Sequence, residues 1–147
     1  MVIMNDVRPY KNYIAKMKRK VIVPGLPRTV YKVGITASSD AMKRLMYTGP
    51  DEANPISGTF DEIKIMHSVW SANLEEAEKL EKLIMDTIAN GGRFHNWFEP
   101  KQLSGITEMR VWNYDEFLKC IDLMNKHGKS FEEANRLANM GNLLETF

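Results

Sequence analysis

The segment Val30–Leu45, VYKVGITASSDAMKRL, passes from one kind of periodicity to another within sixteen residues. Tyr31, Val33 and Ile35 alternate with Lys32, Gly34 and Thr36, the period of a strand with two distinct faces. A short polar turn follows, and Ser39 or Asp40 can cap a helix that Gly49-Pro50 ends. Arg44 rides on that helix. The arrangement predicts a corner at Gly34 that brings Lys32 on a strand toward Arg44 on a helix.

Upstream, NYIAKMKRKVIV is rich in Ile, Val and Tyr and reads as a second strand. PGLP (Pro24–Pro27) is a turn signal between the two, so the pair predicts a hairpin. Residues 1–11 read as an N-terminal arm. Downstream, DEANPISGTFDE has loop composition, and IKIMHSVW reads as a strand with Ile63, Ile65 and Val69 on one face. His67, on that same face, is expected to be a satisfied core histidine rather than a ligand. Asn73 with Glu76 forms a capping pair for a helix over Leu74–Ala89, and GITEMRVW suggests a last strand. Two further helices are expected, from Tyr114 to about His127 and, opened by Ser130 and Glu133, to about Leu144. Together these elements predict an α+β fold: a small, mostly antiparallel sheet with flanking helices and a C-terminal helix pair. The expected organisation is an arm over 1–11, a domain over 12–112 and a helical extension over 113–147 packed on that domain.

Composition narrows the function classes. The 147 residues are 44% hydrophobic and 27% charged, values of an ordinary globular domain. No apolar run reaches the roughly 20 residues of a membrane span, and the N-terminal residues lack the apolar core of a secretory signal. Cys120 is the single cysteine, which excludes an internal disulfide and suits a cytoplasmic location. It shares a helical stripe with Phe117, Ile121 and Met124. The net charge of +1 conceals an asymmetry. Before Val33 the basic residues Arg8, Lys11, Lys16, Lys18, Arg19, Lys20, Arg28 and Lys32 face the single acid Asp6, whereas acids outnumber bases beyond it. A basic segment of that kind predicts a surface for a polyanion, with Lys16, Lys18, Arg19, Lys20 and Arg28 as DNA contacts.

One carboxylate is out of place. On the helix from Leu74, the residues Ala77, Leu80, Ile84 and Ile88 define an apolar stripe, and Glu81 falls within it rather than with the other acids. A buried carboxylate needs a partner or a cation. The sequence leaves three accounts: an ion pair with Arg44 or Arg110, a metal site, or a stripe that is only half-buried at that point.

These pieces resemble the GIY-YIG endonuclease superfamily, in its compact phage and bacterial branch with a YKIG-T strand. YKVGIT resembles the second name motif, with Lys32 where the family's opening tyrosine stands. NYI, with Tyr13, is the nearest counterpart of the first motif, across a longer hairpin loop around VPGLP. Arg44, ten residues after Gly34, resembles the family arginine. EEAEKLEKLI resembles the glutamate helix, and Asn96 in HNWFEP follows Glu81 by fifteen residues. The resemblance spans roughly Asn12 to Trp112. It implies a phosphodiester-hydrolysing DNA endonuclease of phage or mobile-element type. Its catalytic residues would be Tyr13, Lys32, Arg44, Glu81 and Asn96. Glu81 would hold Mg²⁺ (or Mn²⁺), and Gly34 would let backbone approach DNA or metal. A lone carboxylate suits Mg²⁺, which keeps several waters and takes phosphate oxygens as further ligands. The alternative is a catalytically silent fold that binds DNA or a host protein, with the C-terminal helices as a candidate dimer surface.

Overall fold

A computed structural model describes residues 8–22, 24–25, 28–37, 60–88 and 109–145, with side chains to residue 140. The helix expected around Arg44 and the HNWFEP segment with Asn96 lie outside the described residues.

The described chain is α+β. Strands β1 (Tyr10–Arg19), β2 (Thr29–Thr36), β3 (Phe60–Ser71) and β4 (Met109–Arg110) accompany helices α1 (Leu74–Thr87), α2 (Tyr114–His127) and α3 (Phe131–Glu145). The strands form one sheet in the order β3-β1-β2-β4, with every neighbouring pair antiparallel. β1 and β2 make the expected hairpin, in unbroken register from Lys11↔Thr36 to Lys18↔Thr29. β1 opens at Tyr10, so Tyr10 and Lys11, which the sequence assigns to an arm, are strand residues paired with Ser71 and Trp70 of β3.

Strand alternation sorts β1 and β2 onto two faces. Ile14, Tyr31 and Val33 share one core with Val69, with Leu80, Ile84 and Ile88 of the α1 segment, and with Trp112, Phe117, Cys120 and Met124. Tyr31 stacks on Phe117, ring centroids 4.9 Å apart, and on Trp112 at 6.1 Å. Trp112 Nε1 donates to Ile88 O at 3.1 Å, so the end of α1 is tied to the start of α2. Burial pushes the Cys120 thiol up to about 12, the state of a core thiol rather than a nucleophile. The opposite face buries Tyr13, Ala15, Met17, Val30 and Met109.

Two of the caps, Asn73 and Ser130, are those the sequence marks, and Asn113 adds a third. Asn73 accepts from Glu76 N, Asn113 and Glu116 form a reciprocal capping box, and Ser130 Oγ accepts from Glu133 N. The α2–α3 connection joins the sheet edge, with Lys129 and Trp70 exchanging backbone hydrogen bonds of 2.7 and 2.8 Å. Gly128 makes that approach possible, because a Cβ there would lie 2.3 Å from Val69 Cγ2. Phe131 of α3 then meets Trp70 edge-on at 4.8 Å.

β3 departs from simple alternation. Its pairing with β1 shifts register between Ile14 and Ala15 and again between Lys16 and Lys18. Ile65 therefore lies opposite Ala15, on the Tyr13 side, while Val69 lies opposite Asn12 on the α1 side. The single shared face expected for Ile65 and Val69 is not formed, because each bulge inserts residues that reverse the parity. His67 lies across from Ile14 and its Nε2 is 2.7 Å from Asn125 Oδ1, a hydrogen-bonded residue at the margin of the core.

Asn12 is fully buried and holds α1 to this sheet. Its Nδ2 donates to Ala77 O at 2.9 Å, and its Oδ1 accepts from Ser71 Oγ at 2.8 Å. Asn12→Ala removes both bonds and strands the Ser71 hydroxyl. A loss of about 1–3 kcal/mol is expected in urea unfolding, and an unchanged midpoint would refute the clamp.

Candidate active site and nucleic-acid interface

Tyr13 and Gly34 are register partners on β1 and β2, and Lys32 lies two residue pairs away, opposite Ala15, at the next position on the same face. All three point to the face away from α1. Lys32 Nζ donates to Tyr13 Oη at 3.4 Å, and the ammonium lies 5.7 Å from the Tyr13 ring centroid. Both side chains are enclosed, Tyr13 at 1% exposure and Lys32 at 8%. Because Lys32 is the donor, the Tyr13 hydroxyl keeps its own hydrogen for a further acceptor.

Gly34 has a different reason from the one the sequence suggested. It lies within β2 and has no positive φ; among the described glycines only Gly25 does. No corner forms there. A Cβ on Gly34 would stand 2.3 Å from both Cζ and Oη of Tyr13. The space kept open by this glycine is filled by the Tyr13 ring, not by DNA or metal.

Glu81 is half-buried on α1, next in the stripe to Ala77 and Leu80. α1 packs on the Ile14–Val33 face, through Leu80, Ile84 and the Asn12 bond to Ala77 O. The sheet therefore stands between α1 and the side on which Tyr13 meets Lys32. Arg110, opposite Tyr31 on the α1 side, is also buried. Among the described residues no group of three or more His, Cys, Asp or Glu is placed to hold a metal ion. A lone carboxylate fits the Mg²⁺ mode that relies on water and substrate oxygens, but the described residues do not bring it beside the Tyr13–Lys32 pair. No step through a metal is derived from this arrangement. Tyr13, Lys32 and Gly34 are thus brought together, Glu81 is not, and Arg44 and Asn96 lie outside the described residues.

The predicted DNA contacts also divide by face. Lys16 and Lys18 extend the Asn12–Ile14 side of β1 and line a shallow groove of about 210 Å³ with Glu62, Lys64 and Met66. Lys64 is the register partner of Lys16. Two like charges directly across a sheet repel, so this pair favours a bound anion. Two acids lie beside this pair: Asp61 is the register partner of Lys18, and Glu62, at a bulge with φ 50°, reaches Lys18 at 3.0 Å. That hydrogen bond, with the Lys18 charge, holds the Glu62 carboxyl below its ordinary value. Lys20 and Arg28 are exposed at the hairpin end.

Arg19 does not belong to this surface. It points to the Tyr13 side, is 4% exposed, and burial followed by the Arg28 charge lowers its pKa. The strand period that exposes Lys18 buries Arg19. Lys64, absent from the predicted set, takes its place; only its position opposite Lys16 identifies it, and the first bulge hides that position from the sequence.

Two outcomes are expected. Gly34→Ala destabilises by about 1–3 kcal/mol through overpacking, and most of the loss disappears in a Tyr13→Ala background; equal losses in both backgrounds by thermal melting would refute the ring contact. Neutralising Lys16, Lys18 and Lys64 together reduces the slope of log K against log salt for duplex DNA by about 2–3, measured by fluorescence anisotropy, whereas the same number of changes on α1 leaves it unchanged.

No family model, no curated protein and no solved structure matches this chain.

Proposed function

We propose that the protein is a DNA endonuclease of GIY-YIG type that hydrolyses phosphodiester bonds. The observation that carries the reading is the Lys32–Tyr13 contact across Gly34 on the β1–β2 hairpin. A phosphoryl centre needs charge neutralisation and a proton donor or acceptor at the attacking or leaving oxygen. Lys32 supplies a cation fixed by packing, and Tyr13 supplies a hydroxyl that can position a water or protonate a leaving oxygen. Arg44 and Asn96 enter through the sequence resemblance alone. The basic groove of Lys16, Lys18 and Lys64 supports DNA as a partner, on the face of the sheet opposite Lys32 and Tyr13. A divalent ion, Mg²⁺ or Mn²⁺, enters like Arg44 and Asn96 through the sequence resemblance alone, since Glu81 lies on the opposite face of the sheet from Lys32. A cytoplasmic site of action and a homodimer through the C-terminal helices complete the proposal; Tyr114 and Leu118 of α2 and Met140 of α3 are exposed. No helix among the described residues is long and apolar enough to cross a membrane.

A second reading is a catalytically silent module that binds DNA. It is favoured by α1 lying on the sheet face opposite Lys32, and by the near-complete enclosure of Tyr13.

Plasmid nicking with Mg²⁺, Mn²⁺ or EDTA separates the two. Under the first reading Tyr13→Phe and Lys32→Met each lower the rate by about 100- to 10,000-fold. Glu81→Gln abolishes the metal-dependent rate and leaves the melting temperature unchanged. DNA binding without nicking under any of the three conditions would establish the second reading. A Glu81→Gln protein that unfolds readily would instead make Glu81 a structural ion-pair partner.

A further inference from the structure

The β1–β2 hairpin runs beyond its regular register. Arg19 N donates to Arg28 O at 2.9 Å, and Arg28 Nε donates to Arg19 O at 2.9 Å, closing a neck from both sides. Past this neck the chain carries Val21 and Ile22 at 70% and 69% exposure. These are the largest exposures among the large hydrophobic residues described, apart from Tyr114 at 69%. Gly25, at φ 82°, has nothing within 4 Å of where a Cβ would stand, so the tip projects into open space. Among the described residues, these two adjacent β-branched side chains are left mostly to solvent.

Their surroundings are cationic. Lys20 and Arg28 are exposed beside them, and Lys16, Lys18 and Lys64 continue the charge back along the sheet, against two carboxylates, Glu62 in the groove and Asp61 across from Lys18. A linear basic track leading to a small apolar tip suits a duplex whose backbone lies on the track and whose bases meet the tip. Apolar wedges flanked by basic residues enter a base step and unstack it, and the phosphate contacts offset the unstacking. An anionic lipid surface would be served by the same cations. The linear track favours the nucleic acid.

We infer that Val21 and Ile22 form a wedge that enters a base step of duplex DNA while Lys16, Lys18 and Lys64 hold the adjacent backbone. The inference rests on the proposed action on DNA, and it assigns the chain a preference for duplexes that open easily. A mismatched step is cheaper to unstack than a paired one. The wedge therefore predicts tighter binding to a mismatched duplex by about tenfold, equivalent to about 1.4 kcal/mol.

The test uses the full chain and a duplex carrying 2-aminopurine beside a single mismatch, with the matched duplex as control and the melting temperature of each variant recorded. Expected is a fluorescence rise on binding and the mismatch preference. In a Val21→Ser/Ile22→Ser double variant both should vanish, while the salt slope and melting temperature stay as in the parent. If parent and double variant give the same fluorescence and the same affinities, the wedge is refuted and DNA binding through the basic track survives. If neither protein binds DNA at all, wedge and proposed function fall together. Tip-dependent binding to phosphatidylserine vesicles with no 2-aminopurine response would overturn the wedge in favour of a membrane contact.

Discussion

A buried amide on the central strand fixes the geometry of this protein. Asn12 has no access to solvent, so each of its polar atoms needs a partner. It finds them in the first turn of α1 and at the end of β3, through Ala77 O and Ser71 Oγ. One side chain thereby joins β1, β3 and α1, and it decides which face of the sheet α1 covers. The apolar stripe of α1 supplies the larger energy, since Leu80, Ile84 and Ile88 bury against Ile14 and Val33. Burial of that kind is non-directional. The amide adds the direction, because a hydrogen bond to a helix carbonyl holds only at one rotation and one height of the helix.

From that choice the two faces acquire separate chemistries. On the α1 side the aromatic group of Tyr31, Trp112 and Phe117 links the hairpin to α2. On the other side Tyr13 lies over Gly34 and accepts from Lys32 within an otherwise apolar layer of Ala15, Met17, Val30 and Met109. An ammonium in such surroundings needs compensation, and the phenol oxygen and ring supply part of it. The same division keeps the helix of Glu81 away from Lys32, which is the strongest structural argument for the silent reading.

The bulges of β3 create the basic groove. A strand in perfect alternation would not set Lys64 across from Lys16 beside Lys18. The first register shift does so; the second sets Asp61 across from Lys18 and holds Glu62 at a positive φ that non-glycine residues seldom adopt. The Lys18–Glu62 pair is largely solvent-exposed, so it stabilises little. The cost of the Lys16–Lys64 pair and of the strained bulge is thus not recovered in the fold itself, as is common where strain serves a site.

Much of the architecture was legible in the residues. The hairpin followed from YKVGIT and the turn at PGLP, the caps from Asn73 and Ser130, and the apolar stripe of α1 from its 3.6-residue period. These are local properties: a strand's alternation and a helix's cap depend on neighbours within a few positions. The same alternation correctly opposed Tyr31 to Lys32. It could not say which face would receive α1, so the sequence gathered Glu81 with Lys32 and the structure parts them. It could not foresee that Gly34 makes room for a tyrosine twenty-one residues earlier, that Arg19 turns inward, or that Lys64 joins Lys16. Each of those outcomes depends on pairing between segments far apart in the chain. A bulge reverses every facing beyond it, and nothing in the local pattern of apolar and polar residues records where the reversal falls.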